Sequence, residues 1–215
     1  MIKVAVYTAI FGGYDPYIEP ELDDRCDLFV FTDRPLKTTR AKVIQVTPNP
    51  NDLTRSARMY KIMSHAGPVQ DYSHVLWIDG SIDLVGVDVP KLAERFLENH
   101  DVAAFQHQTI HCVYEGGRAA VLCGKEDPAV MKEHLGKLTG MSYPPNTGLT
   151  ETGILFRRHN DAVRRFNEAW WLEVQTGSKR DQVSFDYCVD RMGVRLLKIP
   201  GKRQDYGLFV REHAR

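Results

Sequence analysis

Short apolar runs, rich in β-branched and aromatic residues, recur along the chain in the way that buried strands do. They predict seven strands, at residues 3–10, 28–32, 42–46, 74–78, 102–106, 153–156 and 194–199. Apolar positions at helical spacing predict helices at about residues 52–65, 90–99 and 161–175, one or two within 112–139, and a last helix that begins at Ser178. Strands that alternate with helices indicate a single α/β domain with a mostly parallel central sheet flanked by helices.

The carboxyl end of such a sheet is where a ligand is expected to bind. Asp79, followed by Gly80 and Ser81, comes directly after the apolar fourth strand. A carboxylate in this position suits a hard divalent cation, Mg²⁺ or Mn²⁺, whose shell phosphate oxygens can complete. Asp-Gly is also a common turn pair, so a turn role for Asp79 is the alternative.

The first predicted helix carries a row of basic residues. Arg58, Lys61 and His65 are spaced by three and four residues, and Arg55 lies one turn before Arg58. Guanidinium and ammonium groups bind phosphate oxygens, so we expect Arg55, Arg58 and Lys61 to hold a diphosphate. A solvated basic helix face is the alternative.

The ends of the first two strands should face the same crevice. Tyr7 can stack on a base there, and Asp33 can accept hydrogen bonds from a base or a ribose. We therefore expect Tyr7, Thr8, Ala9 and Asp33 to contact a nucleoside. The glycine-rich phosphate fingerprints of kinases and Rossmann dehydrogenases are missing, which disfavours both classes.

Asp181 near the start of the last helix is the first candidate catalytic group. It could act there as a general base or a hydrogen-bond acceptor. Ser178 and Asp181 also have the spacing of a capping box, which would give Asp181 a purely local role. Glu151 is the second candidate catalytic residue, while Trp171 and Gln182 are candidates for a sugar or acceptor subsite.

Composition narrows the possible partners. The 28 basic and 28 acidic residues balance, so nucleic acid is not an expected partner. Four scattered cysteines argue against a zinc knuckle or a disulfide framework, and no apolar run approaches the length of a membrane span. Without a signal-peptide pattern, we expect a cytoplasmic protein.

Six segments, taken in order, resemble a known family. They are VYTAIFGGYD at 6–15, FTD at 31–33, SARMYK at 56–61, WIDGS at 77–81, CVYE at 112–115 and RDQVSF at 180–185. Together they look like the plant mucilage-related and turgor-defect glycosyltransferase-like family, long catalogued as a domain of unknown function. The similarity spans nearly the whole chain.

This resemblance implies a GT-A type fold, with a nucleotide-binding half at about residues 1–110 and an acceptor-side half at about 111–215. It implies a nucleotide-sugar donor, with a uridine diphosphate sugar as the expected one, and a glycan, lipid-carrier or small-molecule acceptor. GT-A enzymes hold a divalent metal on an Asp-x-Asp element, and here Ser81 stands where the second Asp would be. Asp79, Ser81 and His213 are then the expected metal ligands.

The sequence thus predicts a glycosyltransferase that a divalent cation assists. Two alternatives stay open. Some members of the resembled family have been assigned a ceramide-cleaving activity, which would make the protein a metal-dependent hydrolase. A non-catalytic nucleotide- or carbohydrate-binding module is the other alternative.

Overall fold

The computed structural model describes residues 2–211. Within them the strands are β1 (Val4–Ile10), β2 (Cys26–Thr32), β3 (Lys42–Gln45), β4 (His74–Ile78), β5 (Ile82–Leu84), β6 (Val102–Gln106), β7 (Thr150–Arg158), β8 (Leu196–Ile199) and β9 (Leu208–Val210). The α-helices are α1 (Leu53–Ile62), α2 (Val89–Leu97), α3 (Val113–Leu122), α4 (Pro128–Gly140), α5 (Asp161–Thr176) and α6 (Gln182–Met192). Short 3₁₀ turns occupy Ser64–Ala66 and Arg203–Tyr206.

Seven strands form the central sheet, in the order β3-β2-β1-β4-β7-β6-β8. β1 runs parallel to β2 and β4, β2 to β3, and β6 to β8, whereas β7 is antiparallel to both β4 and β6. The predicted mostly parallel sheet is therefore confirmed, with all seven predicted strands in it. β5 and β9 pair separately, and the sequence did not predict them because strands of three residues carry too little periodicity.

Each face of the sheet packs against its own layer of helices. Val75 and Trp77 of β4 belong to a core cluster with residues of α5 and α6, while Leu76 and Ile78 belong to one with residues of α2. Successive side chains of a strand point to opposite faces, and here both faces are buried. Every residue from Val75 to Ile78 is therefore apolar. Helices cover both faces of the sheet, so a ligand is expected at the end of the sheet where the parallel strands terminate.

The last helix begins four residues later than predicted. Ser178 does not cap it: its Oγ donates to Glu126 Oε2 at 2.6 Å, and α6 begins at Gln182 without a side-chain cap from Asp181. The capping-box interpretation of Ser178 and Asp181 is wrong because tertiary partners take both side chains. The carboxylate of Asp181 is thereby available to the site.

A bulge interrupts the pairing of β6 with β7. Ala103 faces Phe156, but Phe105 faces Glu151, so β7 advances five residues while β6 advances two. A bulge of this kind bends the strand and changes the direction of its side chains. Here it falls where β7 passes the end of β4, beside Asp79.

No helix in residues 2–211 is long and apolar enough to cross a membrane. The four cysteines are unpaired within the same part of the chain.

Stability should depend on pH through His159, which follows β7. Burial, with the charge of Arg157 as a smaller contribution, lowers the pKa of His159 to about 4. His159 binds a proton near pH 6.5 in the unfolded chain and only near pH 4 in the folded chain. Its contribution to the free energy of unfolding is therefore retained well above pH 6.5 and is lost as the pH falls from about 6.5 to 4. We expect His159 alone to account for a loss of about 1.6 kcal/mol between pH 6.5 and pH 5.

Urea unfolding at the two pH values measures this loss. His159→Gln should reduce the difference between the two free energies of unfolding by about 1.6 kcal/mol relative to the wild type. Equal pH dependence in both proteins would contradict the assignment.

Candidate functional site

Four charged side chains meet at the carboxyl end of β4, and we call them the charged quartet: Arg58, Lys61, Asp79 and Asp181. Lys61 Nζ lies 2.6 Å from Asp181 Oδ2 and 3.6 Å from Asp79 Oδ1. Arg58 reaches the same two carboxylates, with Nε 3.0 Å from Asp181 Oδ1 and Nη1 3.4 Å from Asp79 Oδ1. Three separate segments of the sequence predicted Asp79, the pair Arg58 and Lys61, and Asp181, and the fold brings all four side chains together.

Local structure explains the positions of Arg58, Lys61 and Asp79. Arg58 and Lys61 lie one turn apart on α1 and so project from the same face. Asp79 Oδ1 accepts a hydrogen bond from Trp77 Nε1 at 2.7 Å, and its backbone N–H donates to the Gly153 carbonyl at 2.8 Å. The backbone of Asp79 also begins a turn, since its carbonyl accepts from Ile82 N–H at 2.9 Å. The backbone of Asp79 therefore forms the turn, while its side chain belongs to the quartet.

Asp181 is fixed by contacts from outside its own helix. Thr152 Oγ1 donates to Asp181 Oδ2 at 2.9 Å, and Trp170 Nε1 donates to the backbone carbonyl of Asp181 at 2.9 Å. Thr152 lies in the bulged stretch of β7, so the bulge supplies the hydroxyl that orients this carboxylate. Glu126 holds the preceding loop by accepting from the backbone N–H of Lys179 at 2.8 Å.

The quartet is buried on one side and open on the other. The side chains of Lys61 and Asp181 are 0% and 2% exposed, whereas that of Asp79 keeps 31% of its surface in contact with solvent. Asp79 is therefore the edge of the quartet that a ligand meets first.

Charge pairing sets the ionisation of the carboxylates. Burial by itself raises the pKa of Asp181, but the charges of Arg58 and Lys61 outweigh that effect and hold the pKa well below its usual range. The same balance, with Lys61 ahead of Arg58, lowers the pKa of Asp79. Both carboxylates are thus ionised at neutral pH.

The basic members respond to burial in different ways. Burial lowers the pKa of Lys61, and the charges of Asp181 and Asp79 oppose this shift. The pKa of Arg58 is raised, because Asp181, Asp79 and Asp15 together outweigh its burial. With an ionised carboxylate oxygen 2.6 Å from Nζ, Lys61 keeps its proton as an ammonium.

Comparison with known proteins identifies the family of this chain. The family described as TOD1/MUCI70, glycosyltransferase-like domain, matches residues 31–210. The chain belongs to this family. The family resemblance expected from the six sequence segments is therefore confirmed.

Two relatives of the TOD1/MUCI70 domain are informative. The Arabidopsis thaliana protein described as "Probable hexosyltransferase MUCI70" is 26% identical over 223 residues, which cover 89% of this chain and 38% of that protein. The apo structure of the bifunctional glycosyltransferase WbbM matches with a TM-score of 0.54 at 13% identity, over 93% of this chain and 39% of that one. The second match shows the fold, and the chain spans about two fifths of the length of either relative.

Tyr7 does not lie where a base could stack on it. Its side chain is completely buried, and its hydroxyl donates to the Lys61 carbonyl at 2.8 Å. Arg157 Nη2 contacts the same hydroxyl and the same carbonyl, and Arg157 Nη1 donates to the Ile62 carbonyl at 3.0 Å. Tyr7 and Arg157 therefore anchor the end of α1, and the predicted nucleoside contact of Tyr7 disagrees with this placement.

Arg55 also points away from the quartet. Its Nε donates to the Val174 carbonyl at 2.9 Å and its Nη2 to the Gly177 carbonyl at 3.0 Å, while its Nη1 pairs with Asp52. These carbonyls belong to the end of α5 and its cap, where a cation is favourable. The structure places Arg55 as a link between α1 and α5, not beside a diphosphate.

The other predicted donor contacts lie around the edge of the quartet. Thr8 and Ala9 are buried at the end of β1, and Thr8 lines a small cavity together with Asp79 and Gly80. Both oxygens of Asp33 accept from the Gly12 N–H at 3.1 Å, so this carboxylate fixes the loop after β1. Gly12 and the next residue adopt positive φ angles of 66° and 67°, which explains the Gly-Gly pair in that loop.

Glu151 lies apart from the quartet. It faces Phe105, whose ring belongs to the core cluster on the α2 side of the sheet, and its carboxylate pairs with Arg203 Nη1 at 2.9 Å. Burial raises the pKa of Glu151, against the opposing charge of Arg203. Its predicted catalytic role at the same centre as Asp181 is not supported by this position.

The remaining predicted residues have simpler positions. Trp171 is half-buried and packs against the core cluster on the α5 side, and Gln182 is the first residue of α6, next to Asp181. His213 lies outside the described residues.

Trp77, Thr152 and Arg157 were not predicted as site residues. Trp77 belongs to the WIDGS segment at 77–81 and lies two residues before Asp79. Side chains two residues apart on a strand point to the same face, and this spacing could have placed Trp77 beside Asp79.

Within residues 2–211, the carboxylates predicted to hold a divalent cation do not suit one. Asp79 and Asp181 are already engaged by an ammonium and a guanidinium. The backbone carbonyl of Ser81 accepts from Arg211 N–H at 2.8 Å, and the nearby Asp83 pairs with Arg211 Nε at 2.9 Å. Residues 2–211 contain no group of three or more His, Cys, Asp or Glu side chains arranged to hold a metal. Positive groups in contact with these carboxylates disfavour a second cation there.

Proposed function

We propose that this domain transfers a sugar from a nucleotide-sugar donor to an acceptor hydroxyl. The observation that supports it most is the charged quartet at the carboxyl edge of a glycosyltransferase-like sheet. Its basic members suit the phosphates of a donor, and its acidic members suit the sugar. The quartet combines Arg58, Lys61 and Asp79 from the first half of the chain with Asp181 from the second.

Arg58 is the proposed phosphate contact. A guanidinium carries five N–H donors, and only Nε and Nη1 face the two carboxylates at the distances given above. The remaining donors can bind the oxygens of a diphosphate. Negative charge grows on that diphosphate as the bond from the anomeric carbon to the phosphate oxygen breaks, so a fixed cation lowers the barrier.

Asp181 is proposed to act on the sugar through its charge. A carboxylate with a pKa well below its usual range is a weak base at neutral pH, so general base catalysis is not the role it suits best. The Asp181 side chain is 2% exposed and lies behind Asp79. This ionised, oriented carboxylate can instead stabilise, through its negative charge, the positive charge that develops at the anomeric carbon, while the more exposed Asp79 can accept hydrogen bonds from the sugar.

The nucleoside is proposed to bind along the ends of β1 and β2. Thr8 and Ala9 lie near the end of β1, and Asp33, directly after β2, is only partly buried. We propose a uridine diphosphate hexose as the donor. The relative described as a hexosyltransferase supports the sugar class.

Calorimetric titration with UDP, GDP and ADP, followed by transfer assays with the matching sugar nucleotides, tests the function. We expect UDP to bind and its sugar to be transferred to a hydroxyl acceptor. Binding by none of the three would contradict the proposal. Binding without sugar release would favour a non-catalytic module, and release to water alone would favour a hydrolase.

Two arginines on α1 provide a matched pair for the phosphate contact. Arg58→Met is expected to weaken UDP binding at least about tenfold, because one charged hydrogen-bonded contact contributes about 1.5–3 kcal/mol. Arg55→Met removes the same charge from the same helix and should leave the UDP affinity within about twofold, since Arg55 bonds to the end of α5. Equal losses in the two variants would contradict the assignment.

A further inference from the structure

The two carboxylates of the quartet already share a cation that belongs to the protein. We propose that the Lys61 ammonium is a resident cation that takes the place of a divalent metal, so that nucleotide binding and sugar transfer need no metal ion. This inference rests on the proposed function, and it concerns how the site balances its charges.

The ammonium is held on several sides. Nζ lies 2.6 Å from Asp181 Oδ2 and 3.6 Å from Asp79 Oδ1, and it lies over the Trp77 ring, 5.7 Å from the centroid. Two ionised carboxylates and an aromatic face are together a favourable environment for a cation removed from water. A divalent cation held by these two carboxylates would have to compete with the ammonium for them.

Lys61 cannot easily leave that position. Its side chain has no exposed surface, so it cannot swing into solvent as a surface lysine does. Its backbone carbonyl accepts from the Tyr7 hydroxyl at 2.8 Å and from Arg157, which fixes the helix end from which the side chain projects. The position of the ammonium is therefore built into the fold before any ligand arrives.

The residues after β4 also favour a site without a metal ion. Ser81 occupies the position where a metal-binding element would have its second carboxylate, and Asp83 is paired with Arg211 at 2.9 Å. Asp79, Asp83 and Asp181 thus each face a basic side chain of the protein. A divalent ion would have to displace these contacts to obtain its oxygen ligands.

Manganese binding to the wild-type protein is the direct test. The electron paramagnetic resonance signal of free Mn²⁺ falls when the ion binds a protein. We expect no saturable loss of signal with the wild type at millimolar Mn²⁺. We also expect a UDP affinity in EDTA that lies within twofold of the affinity in Mn²⁺.

Lys61→Met provides the complementary test, because methionine keeps most of the buried stem and removes the charge. The variant leaves Asp79 and Asp181 with a vacated cation position, and we expect it to bind Mn²⁺ at least tenfold more tightly than the wild type. Mn²⁺ should raise its melting temperature, but not that of the wild type. The control variant Lys61→Met with Asp181→Asn should lose the gain.

The possible outcomes separate this inference from the proposed function. Saturable Mn²⁺ binding by the wild type that Asp79→Asn abolishes would overturn the inference, as would UDP binding that requires Mn²⁺. The wild-type measurement decides even if Lys61→Met does not fold. Failure of UDP to bind with or without Mn²⁺ would instead count against the transferase function and leave the Mn²⁺ measurement on the free protein to decide the role of Lys61.

Discussion

Replacing Asp181 with asparagine is expected to lower the rate of sugar transfer by about 100- to 1000-fold while UDP affinity changes by less than about threefold. Asparagine keeps the shape of the side chain and can still accept the Thr152 hydroxyl, but it removes the negative charge proposed to face the anomeric carbon. The basic members of the quartet remain, so the diphosphate contact is retained. The loss should therefore appear in kcat more than in nucleotide binding.

Asp190→Asn is the matched control for this experiment, because Asp190 lies on the same helix and is exposed. It should leave turnover within about twofold of the wild type, since surface changes usually have small effects. Melting curves of both variants must first show folded protein, since Asp181→Asn removes the charge that Lys61 and Arg58 pair with. Unchanged turnover in folded Asp181→Asn protein would exclude the proposed role.

The pH dependence of turnover separates the proposed role of Asp181 from general base catalysis. Its pKa lies well below the usual range, so it stays ionised throughout pH 5 to 8 and should contribute no titration to the rate there. The same pH profile for the wild type and for the residual activity of Asp181→Asn is the expected result. An acid limb between pH 5 and 8 that disappears in the variant would identify Asp181 as a base.

The fold was largely predictable because buried strands leave a strong local signal. Runs such as residues 74–78 are apolar on both faces, which identifies them as interior strands of a sheet covered by helices. The antiparallel direction of β7 was not predictable in this way. It depends on the route of the chain through α3 and α4, and no local pattern records that route.

The site was predictable where one strand or one helix face determines it. The end of β4 located Asp79, and helical spacing placed Arg58 with Lys61. Arg55 lies one turn before Arg58, so its spacing would allow the same role. Its guanidinium instead donates to carbonyls at the end of α5, 119 and 122 residues away along the chain. Tyr7 is likewise taken by the end of α1. Such tertiary partners decide where a polar side chain goes, and spacing along the sequence does not contain them.

Arg157 is a buried residue whose loss should destabilise the fold strongly. Its side chain has no exposed surface and contacts the Tyr7 hydroxyl and the Lys61 carbonyl, with Nη1 donating to the Ile62 carbonyl and to Asn167 Oδ1 at 3.0 Å each. Burial lowers the pKa of Arg157, which shows how costly it is to keep this guanidinium in the core. The hydrogen bonds to the end of α1 offset that cost, because they satisfy carbonyls that a helix end leaves without partners.

Arg157→Met is expected to lower the free energy of unfolding by about 3 to 5 kcal/mol, measured by urea denaturation. Methionine removes the cost of burying a charge, but it leaves the buried Ile62 carbonyl and Asn167 Oδ1 without the donor that Arg157 supplies, and this second effect should dominate. Arg158→Met is the control: the neighbouring Arg158 is only partly buried and donates to carbonyls at the end of α2, so we expect a loss below about 1.5 kcal/mol. Because Lys61 belongs to the same helix end, Arg157→Met protein that remains folded should also bind UDP more weakly. Equal stability losses in the two variants would show that Arg157 does not anchor α1, and with it the quartet.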